Sequence, residues 1–431
     1  MKIEKLRIKN FRCYENIELE LKENYTVLVG INGAGKTTIL DAISIALGGY
    51  ISNFDGMGIY AINKSDSHYK MYELGSRIER EHQFPVEISV IGKIEKENIK
   101  WYRALNKENG RTSNFGAKEI IAYATNIQEK VKAGNKEILL PVIAYYGTGR
   151  LWMQKREKSN KNSKENFSRL KGYVDCLDSA SNEKLMLKWF EKITYLELQE
   201  AEKIPELEAV KRALNKSYEI IDEGVDKANF NYKVKSGELE VSIKRKNGTV
   251  ESLPLRTLSD GIKSTMSMIA DIAYRMAVLN PQLLDNILLQ TSGIVLIDEI
   301  DMHLHPSWQS KIIKVLTETF PKVQFIFTTH SPSVISNILN ENILVLNNLE
   351  IYKLNDKTYG RDIESIVREV MRTEVRPQEI VKKLKEFNKL LDDGKIEDAR
   401  KLLKSLEEIL GQNDTNIIDA RISLELEEIG V

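Results

Sequence analysis

Six residues between positions 30 and 38 have the types and the spacing to grip a phosphate. Gly30, Gly33 and Gly35 lead into Lys36, Thr37 and Thr38, with Asn32 and Ala34 in the turn between the glycines. This is the pattern glycine, four residues, then Gly-Lys-Thr. Glycines let backbone N–H groups wrap a β-phosphate, and a helix that starts there adds its positive end. Lys36 would reach the β- and γ-phosphates, and the Thr37 hydroxyl would ligate magnesium.

A second set lies far along the chain. Ser292 to Glu299 reads SGIVLIDE, four apolar residues closed by Asp298 and Glu299. Two carboxylates at that place would divide the work. Asp298 would hold the magnesium shell through water, and Glu299 would polarise the attacking water. Thr329, His330, Ser331 and Pro332 follow a further apolar run, VQFIFT, which would bring His330 to the γ-phosphate. The stretch RTLSDGIKST at 256–265 opens a helical pattern with Ser259 and Gly261, a second anion-binding helix start. Asp301, His303 and His305 cluster in EIDMHLHP, where a metal site is the lesser reading and a loop is favoured.

These residues need a particular frame. Val27, Leu28 and Val29 form a short strand before the loop, and Leu40, Ile43, Ala46 and Leu47 repeat at helical spacing after it. Ile294 to Ile297 reads as a buried parallel strand, whose C-terminal end faces the ligand crevice of an open α/β sheet. Residues 86–105 alternate like a hairpin, 183–223 are mostly helical, and strands return after 229. The helix behind Ser259 is expected over Ile262 to Val278. Arg376 to Ile429 reads as two or three helices, with a break at Gly394.

Composition narrows the class. Lys plus Arg equals Asp plus Glu at 63 each, so global charge offers no argument for a polyanionic partner. Cys13 and Cys176 form no CxxC pair, which leaves neither a disulfide framework nor a thiolate zinc site. No run approaches eighteen apolar residues, so a cytoplasmic protein without membrane spans is expected. Gln154 to Gly172 carries seven basic and two acidic residues. It reads as a solvated loop or as a nucleic-acid contact through Lys155, Arg156, Lys158 and Lys161.

In order and spacing these pieces resemble the ABC-type ATPase family, in its RecF, Rad50 and SMC-like branch. The phosphate loop at 30–37, the signature LSDGI at 258–262, the acidic strand at 294–299 and the switch His330 stand in that family's order. The resemblance implies an α/β fold: a P-loop ATPase head, a mixed sheet with helices, carrying an inserted helical lobe and a helical C-terminal tail. It implies a head-to-tail dimer or larger even-numbered homo-oligomer, in which Ser259 and Gly261 of one chain close on the ATP of the other. By the same resemblance Arg12, in the NFR at 10–12, lies near the nucleotide and is a candidate ligand for it. Asp260 stands where transporter members have glycine, so it must turn outward and cap its helix. The family's glutamine loop has no clear match; Gln83 is a candidate against the reading of a surface glutamine.

YYGTGR at 145–150, LIDEIDMHLHP, TTHSP and YGRDIESIVREVM are also similar to the ATPase subunits of bacterial anti-phage modules of the Septu type (PtuA), relatives of which accompany some retrons. That resemblance implies a regulatory ATPase paired with a separate HNH endonuclease. The tail has no DxD pair and no histidine beyond His330, so a nuclease centre within the chain is not expected. A RecF-like DNA-repair clamp is the alternative, and a transporter ATPase a more distant one. The expected organisation is 1–150 and 231–355 as the two parts of the head, 151–230 as the inserted lobe, and 356–431 as a helical region for oligomer or partner docking.

Overall fold

The computed structural model describes the chain except residues 59, 76, 96, 152–167, 179–182, 375 and 430–431. The four lysines and arginines expected to face nucleic acid, at 155, 156, 158 and 161, fall outside the described residues. The chain forms two compact units, Met1–Arg361 and Asp362–Val431.

The first unit is built around a six-stranded sheet in the order Glu350–Lys353, Ile343–Asn347, Tyr25–Val29, Val323–Thr329, Gly293–Ile297 and Val142–Tyr146. Five of these strands are parallel, and only the Glu350–Lys353 edge runs against its neighbour. Parallel strands are covered on both faces, and the residues comply: Gly293–Ile297 and Val323–Thr329 are buried throughout. Register sets the site. Thr329 is level with Val29, and Ile297 with Phe327, so three strands end together and deliver Gly30, Asp298 and His330 to one edge.

Helix Lys36–Ile51 leaves that edge and is buried around most of its girth. Such a helix needs apolar partners on several sides. A four-stranded antiparallel sheet provides one side, in the order Tyr14–Glu20, Lys2–Phe11, Val86–Ile94 and Glu97–Leu105. Trp101 Nε1 donates to the Ala46 carbonyl at 3.0 Å, and Arg103 donates to the carbonyls of Ile45, at 2.6 Å, and of Tyr60. Burial pushes the Arg103 guanidinium down to about 10.

The remaining elements of this unit include helices Glu183–Glu200 and Pro205–Ile221, a three-stranded sheet over Val225–Pro254, and helix Asp260–Leu279. The last helix is tied to the central sheet by a buried trio. Tyr146 Oη donates to Asp271 Oδ2 at 2.7 Å, and Arg275 Nε donates to the same oxygen at 2.8 Å.

The second unit gathers helices Gln378–Asp392, Ile396–Leu410 and Thr415–Ile429 around Phe387, Leu391, Ala399, Leu403, Leu406, Ile417, Ala420 and Leu424. Gly394 (φ 71) and Gly411 (φ 83) make the two turns between them in the left-handed region, where a side chain is disfavoured. Among the described residues no helix is long and apolar enough to cross a membrane.

Candidate functional site

The phosphate loop is held from two sides. Gly35 is the N-cap of its helix at φ 91, and a Cβ there would strike the Tyr14 hydroxyl. Tyr14 Oη in turn donates to the Ala34 carbonyl at 3.1 Å. A Cβ on Gly30 would lie 2.6 Å from the Leu346 carbonyl. Gly33, at φ 81, has open space where its Cβ would stand. The loop therefore presents backbone rather than side chains to a ligand, which suits a phosphate cradle. Lys36 Nζ donates to the carbonyls of Gly30 at 2.6 Å and Ile31 at 3.1 Å, across the mouth of the loop. Burial lowers the pKa of this ammonium, while Glu299, Asp298 and Asp301 pull it upward.

Arg12 sits at the tip of the first hairpin with φ 49. Its Nε donates to Asp66 Oδ1 at 2.9 Å, and its Nη1 donates to Asp41 Oδ2 on the loop helix. Tyr145 Oη donates to the other Asp41 oxygen at 2.8 Å. Asp41 thus joins the N-terminal hairpin, the loop helix and the Val142–Tyr146 strand. Cys13 Sγ lies 3.8 Å from Thr38 Oγ1. Gln83 is elsewhere engaged, its Nε2 donating to the Glu81 carbonyl.

At the acidic strand end, Asp298 is buried, only 1% exposed. Thr37 Oγ1 donates to its Oδ2 at 2.8 Å and Thr328 Oγ1 to its Oδ1 at 2.5 Å. The same Thr328 oxygen accepts from the Glu299 amide at 2.7 Å. Glu299 adopts φ 46, a left-handed conformation costly for a side chain, and the chain turns sharply there. A hydroxyl and a carboxylate in contact form a hard-oxygen donor pair. That suits Mg2+, which keeps several waters and takes few protein ligands.

The turn after Glu299 bonds to the histidine segment. Thr329 Oγ1 donates to Asp301 Oδ1 at 2.5 Å, and His330 Nε2 lies 3.8 Å from Asp301 Oδ2. Gln309 Nε2 donates to the Asp301 and Leu304 carbonyls, and its Oε1 accepts from Ser331 Oγ at 2.7 Å. His330 itself is half exposed, with 46% of its side chain accessible. Among the described residues no group of three or more His, Cys, Asp or Glu side chains gathers for a metal. His305 instead caps helix Pro306–Gln309 through Nδ1.

Ser259 is exposed at the start of helix Asp260–Leu279, its Oγ accepting from the Ile262 amide at 3.5 Å. The helix therefore begins two residues earlier than its apolar pattern suggests. The cap is Ser259 rather than Asp260, because Asp260 is already the first helical residue. Asp260 does turn outward, 64% exposed, and pairs with Lys263 at 2.7 Å. Gly261 packs against the turn after the acidic strand, where a Cβ would collide with the His303 carbonyl.

The structure brings the loop residues, Asp298, Glu299 and His330 to one sheet edge. Ser259 and Gly261 stand at the start of another helix, and Arg12 braces the loop helix from behind. Sequence reasoning missed Tyr14, Asp41 and Thr328, none of which carried a signal, and it weighed Asp301 only as a lesser metal-site reading, not as the partner of Thr329.

A family model described as an AAA domain matches residues 5–222, half of the chain. The probable ATPase of retron Ec83 from Escherichia coli is 28% identical, covering 99% of this chain and 87% of its own length. The probable ATPase of retron Vc95 from Vibrio cholerae serotype O1 biovar El Tor is 28% identical over 92% of this chain and 85% of its own. The Septu protein PtuA of Bacillus thuringiensis is 33% identical over a shorter stretch, 37% of this chain and 42% of that one.

Proposed function

The chain belongs to the AAA domain family, in the ABC-type ATPase branch of RecF, Rad50 and OLD proteins, and from that premise we propose that it is the regulatory ATPase of a cytoplasmic anti-phage defence complex, with a separate HNH endonuclease as its partner. The observation that carries the reading is the hydrogen bond from Thr37 to Asp298 at 2.8 Å, which couples the phosphate loop to an acidic strand end 261 residues away. Full-length similarity to two retron ATPases supports the defence role.

In this reading the loop amides of Gly33 to Thr38 cradle the β-phosphate of ATP, and Lys36 moves from the Gly30 and Ile31 carbonyls to the β- and γ-phosphates. Thr37 would hold Mg2+ directly and Asp298 through water, and the ion would supply neutralisation of phosphate charge. Glu299, set by its turn and by Thr328, orients the attacking water, and His330 meets the γ-phosphate from the neighbouring strand. Arg12 acts near the nucleotide through Asp41. Ser259 and the Gly261 amide complete the site of a second copy, so that ATP holds two heads together. The chain contributes no nuclease centre, and the Asp362–Val431 unit is the docking region for further subunits.

Mass photometry of the Glu299→Gln protein tests this. With ATP a dimer or larger even-numbered assembly is expected to accumulate; an oligomer distribution indifferent to ATP overturns the sandwich. Copurification with the product of a neighbouring gene, followed by ATPase and nuclease assays, tests the partner.

A further inference from the structure

The last helix, Thr415–Ile429, is apolar on two opposite faces. Ile417, Ala420 and Leu424 enter the core of the three-helix unit. Ile418, Ile422 and Leu426 recur every four residues and remain 42%, 51% and 47% exposed. At 100° per residue the two stripes lie roughly 165° apart. A helix on the outside of a small bundle needs only one apolar stripe. The second is continuous, and charged residues flank it: Asp419 on one side, Arg421 and Glu425 on the other. Surface stripes of this kind mark contact sites.

We propose that this face is a homotypic contact, in which two copies of the chain pair their Thr415–Ile429 helices antiparallel about a two-fold axis at Ile422. The occupant follows from the arrangement of side chains along the helix. With about 1.5 Å rise per residue, Ile418 and Leu426 stand equally far from Ile422 in opposite directions. A two-fold at Ile422 therefore sets Ile422 on the partner's Ile422, and Ile418 on the partner's Leu426, twice over. In antiparallel pairing each flank meets its own copy. Glu425 then comes level, within about 3 Å along the axis, with the partner's Arg421. On the other flank Asp419 meets the partner's Ser423 rather than another acid. The same register brings Arg421 level with the partner's Arg421, where each guanidinium is neutralised by its own Glu407, so the apolar stripe is matched and the two Arg421–Glu425 pairs outnumber the single like-charge meeting on that flank.

Arg421 is prepared for this. Its Nη2 and Nε donate to Glu407 Oε1 at 2.6 and 3.2 Å, which fixes the guanidinium at the edge of the stripe with donors to spare. The side chain is still 42% exposed.

Three half-exposed side chains fall well short of the roughly 800 Å2 per partner of a stable dimer. The contact is therefore weak alone and gains force when other contacts join the same copies, by raising their effective concentration. It does not rest on the ATP-dependent reading, because it needs no nucleotide.

Sedimentation velocity of the full-length chain without nucleotide, over a concentration series, tests it. Wild type is expected to show reversible dimerisation that Ile422→Asp abolishes, with unchanged circular dichroism. Arg421→Glu and Glu425→Arg are each expected to weaken the dimer on the order of tenfold, since each turns two attractive pairs into repulsive ones. A one-to-one mixture of those two variants restores both pairs and should recover the association as a heterodimer. Glu425→Arg leaves the Arg421–Glu407 bond in place, so its effect reads the contact between copies. A wild type that stays monomeric, an Ile422→Asp protein that still associates, or a mixture no stronger than its components would each overturn the proposal and leave the face to another partner or to solvent. None of these results alters an ATP-dependent dimer of Glu299→Gln, so the two readings fail separately.

Discussion

Replacing Thr328 by valine removes one oxygen and leaves the shape of the side chain intact. That oxygen is fully buried, donates to Asp298 at 2.5 Å and accepts from the Glu299 amide at 2.7 Å. The valine methyl leaves a buried carboxylate oxygen and a backbone N–H without this partner. A lost hydrogen bond to a charged group costs about 1.5–3 kcal/mol, and losing the bond to a part-buried amide adds about 0.5–1.5 kcal/mol. Asp298 retains Thr37, so we take a combined loss of about 3 kcal/mol. For a unit of this size each kcal/mol moves the melting temperature by about 2 °C, and a fall of about 6 °C is expected. Hydrolysis should fall further than stability. The Glu299 turn, already at φ 46, loses the bond that sets it, and a misplacement worth about 1.4 kcal/mol in the transition state is tenfold in rate. Differential scanning fluorimetry and a steady-state ATPase assay read the two effects. Thr328→Ser, which keeps the hydroxyl but loses one buried methyl, should hydrolyse as wild type and melt only about 2 °C lower. If Thr328→Val melts and hydrolyses like wild type, the assignment of Thr328 as the joint between the two acids is wrong.

Gly261→Ala should disturb the turn after the acidic strand within its own chain, since the added methyl meets the His303 carbonyl. A loss of ATPase activity without loss of nucleotide binding, followed by titration with a fluorescent ATP analogue, is the expected outcome. Asp271→Ala should destabilise the first unit by about 3–5 kcal/mol in chemical denaturation, because Arg275 and Tyr146 would be buried with no carboxylate. Asp271→Ala unfolding at the wild-type midpoint would show that the trio contributes nothing. Burial pushes the Cys176 thiol up to about 12, so Cys176 should resist iodoacetamide in native protein and react only on unfolding; mass spectrometry of tryptic peptides settles this.

How much of this was legible in the chain depended on how local each feature is. Gly30 to Thr38 and Ile294 to Glu299 are continuous strings whose chemistry and secondary structure coincide, and both were readable. Thr328 and Asp41 belong to the same site but were invisible. Thr328 reaches Asp298 only because two parallel strands pair in one register, Ile297 level with Phe327. Asp41 looks like any polar residue on a helix until the first hairpin folds back and brings Arg12 to it. Tyr14 reaches the loop by the same fold-back. The start of helix Asp260–Leu279 is hidden for a different reason: the apolar pattern begins at Ile262, whereas the backbone turns helical at Asp260 under the Ser259 cap. The apolar outer face of Thr415–Ile429 was hidden too, since in sequence its two stripes merge into one unpatterned run.

The central claim is that each ATP is held by the loop of one chain and the Ser259 segment of another. Lys36→Ala removes the first half of that site and Ser259→Arg the second, so each protein alone should be inactive. Mixed one to one under conditions of subunit exchange, half of the dimers are hybrids, and each hybrid contains one intact composite site. ATPase activity of the mixture should therefore recover to roughly a quarter of wild type. A mixture as inactive as its two components, with exchange demonstrated by mass spectrometry of labelled subunits, would contradict a site shared between chains and return Ser259 to the chain that carries it.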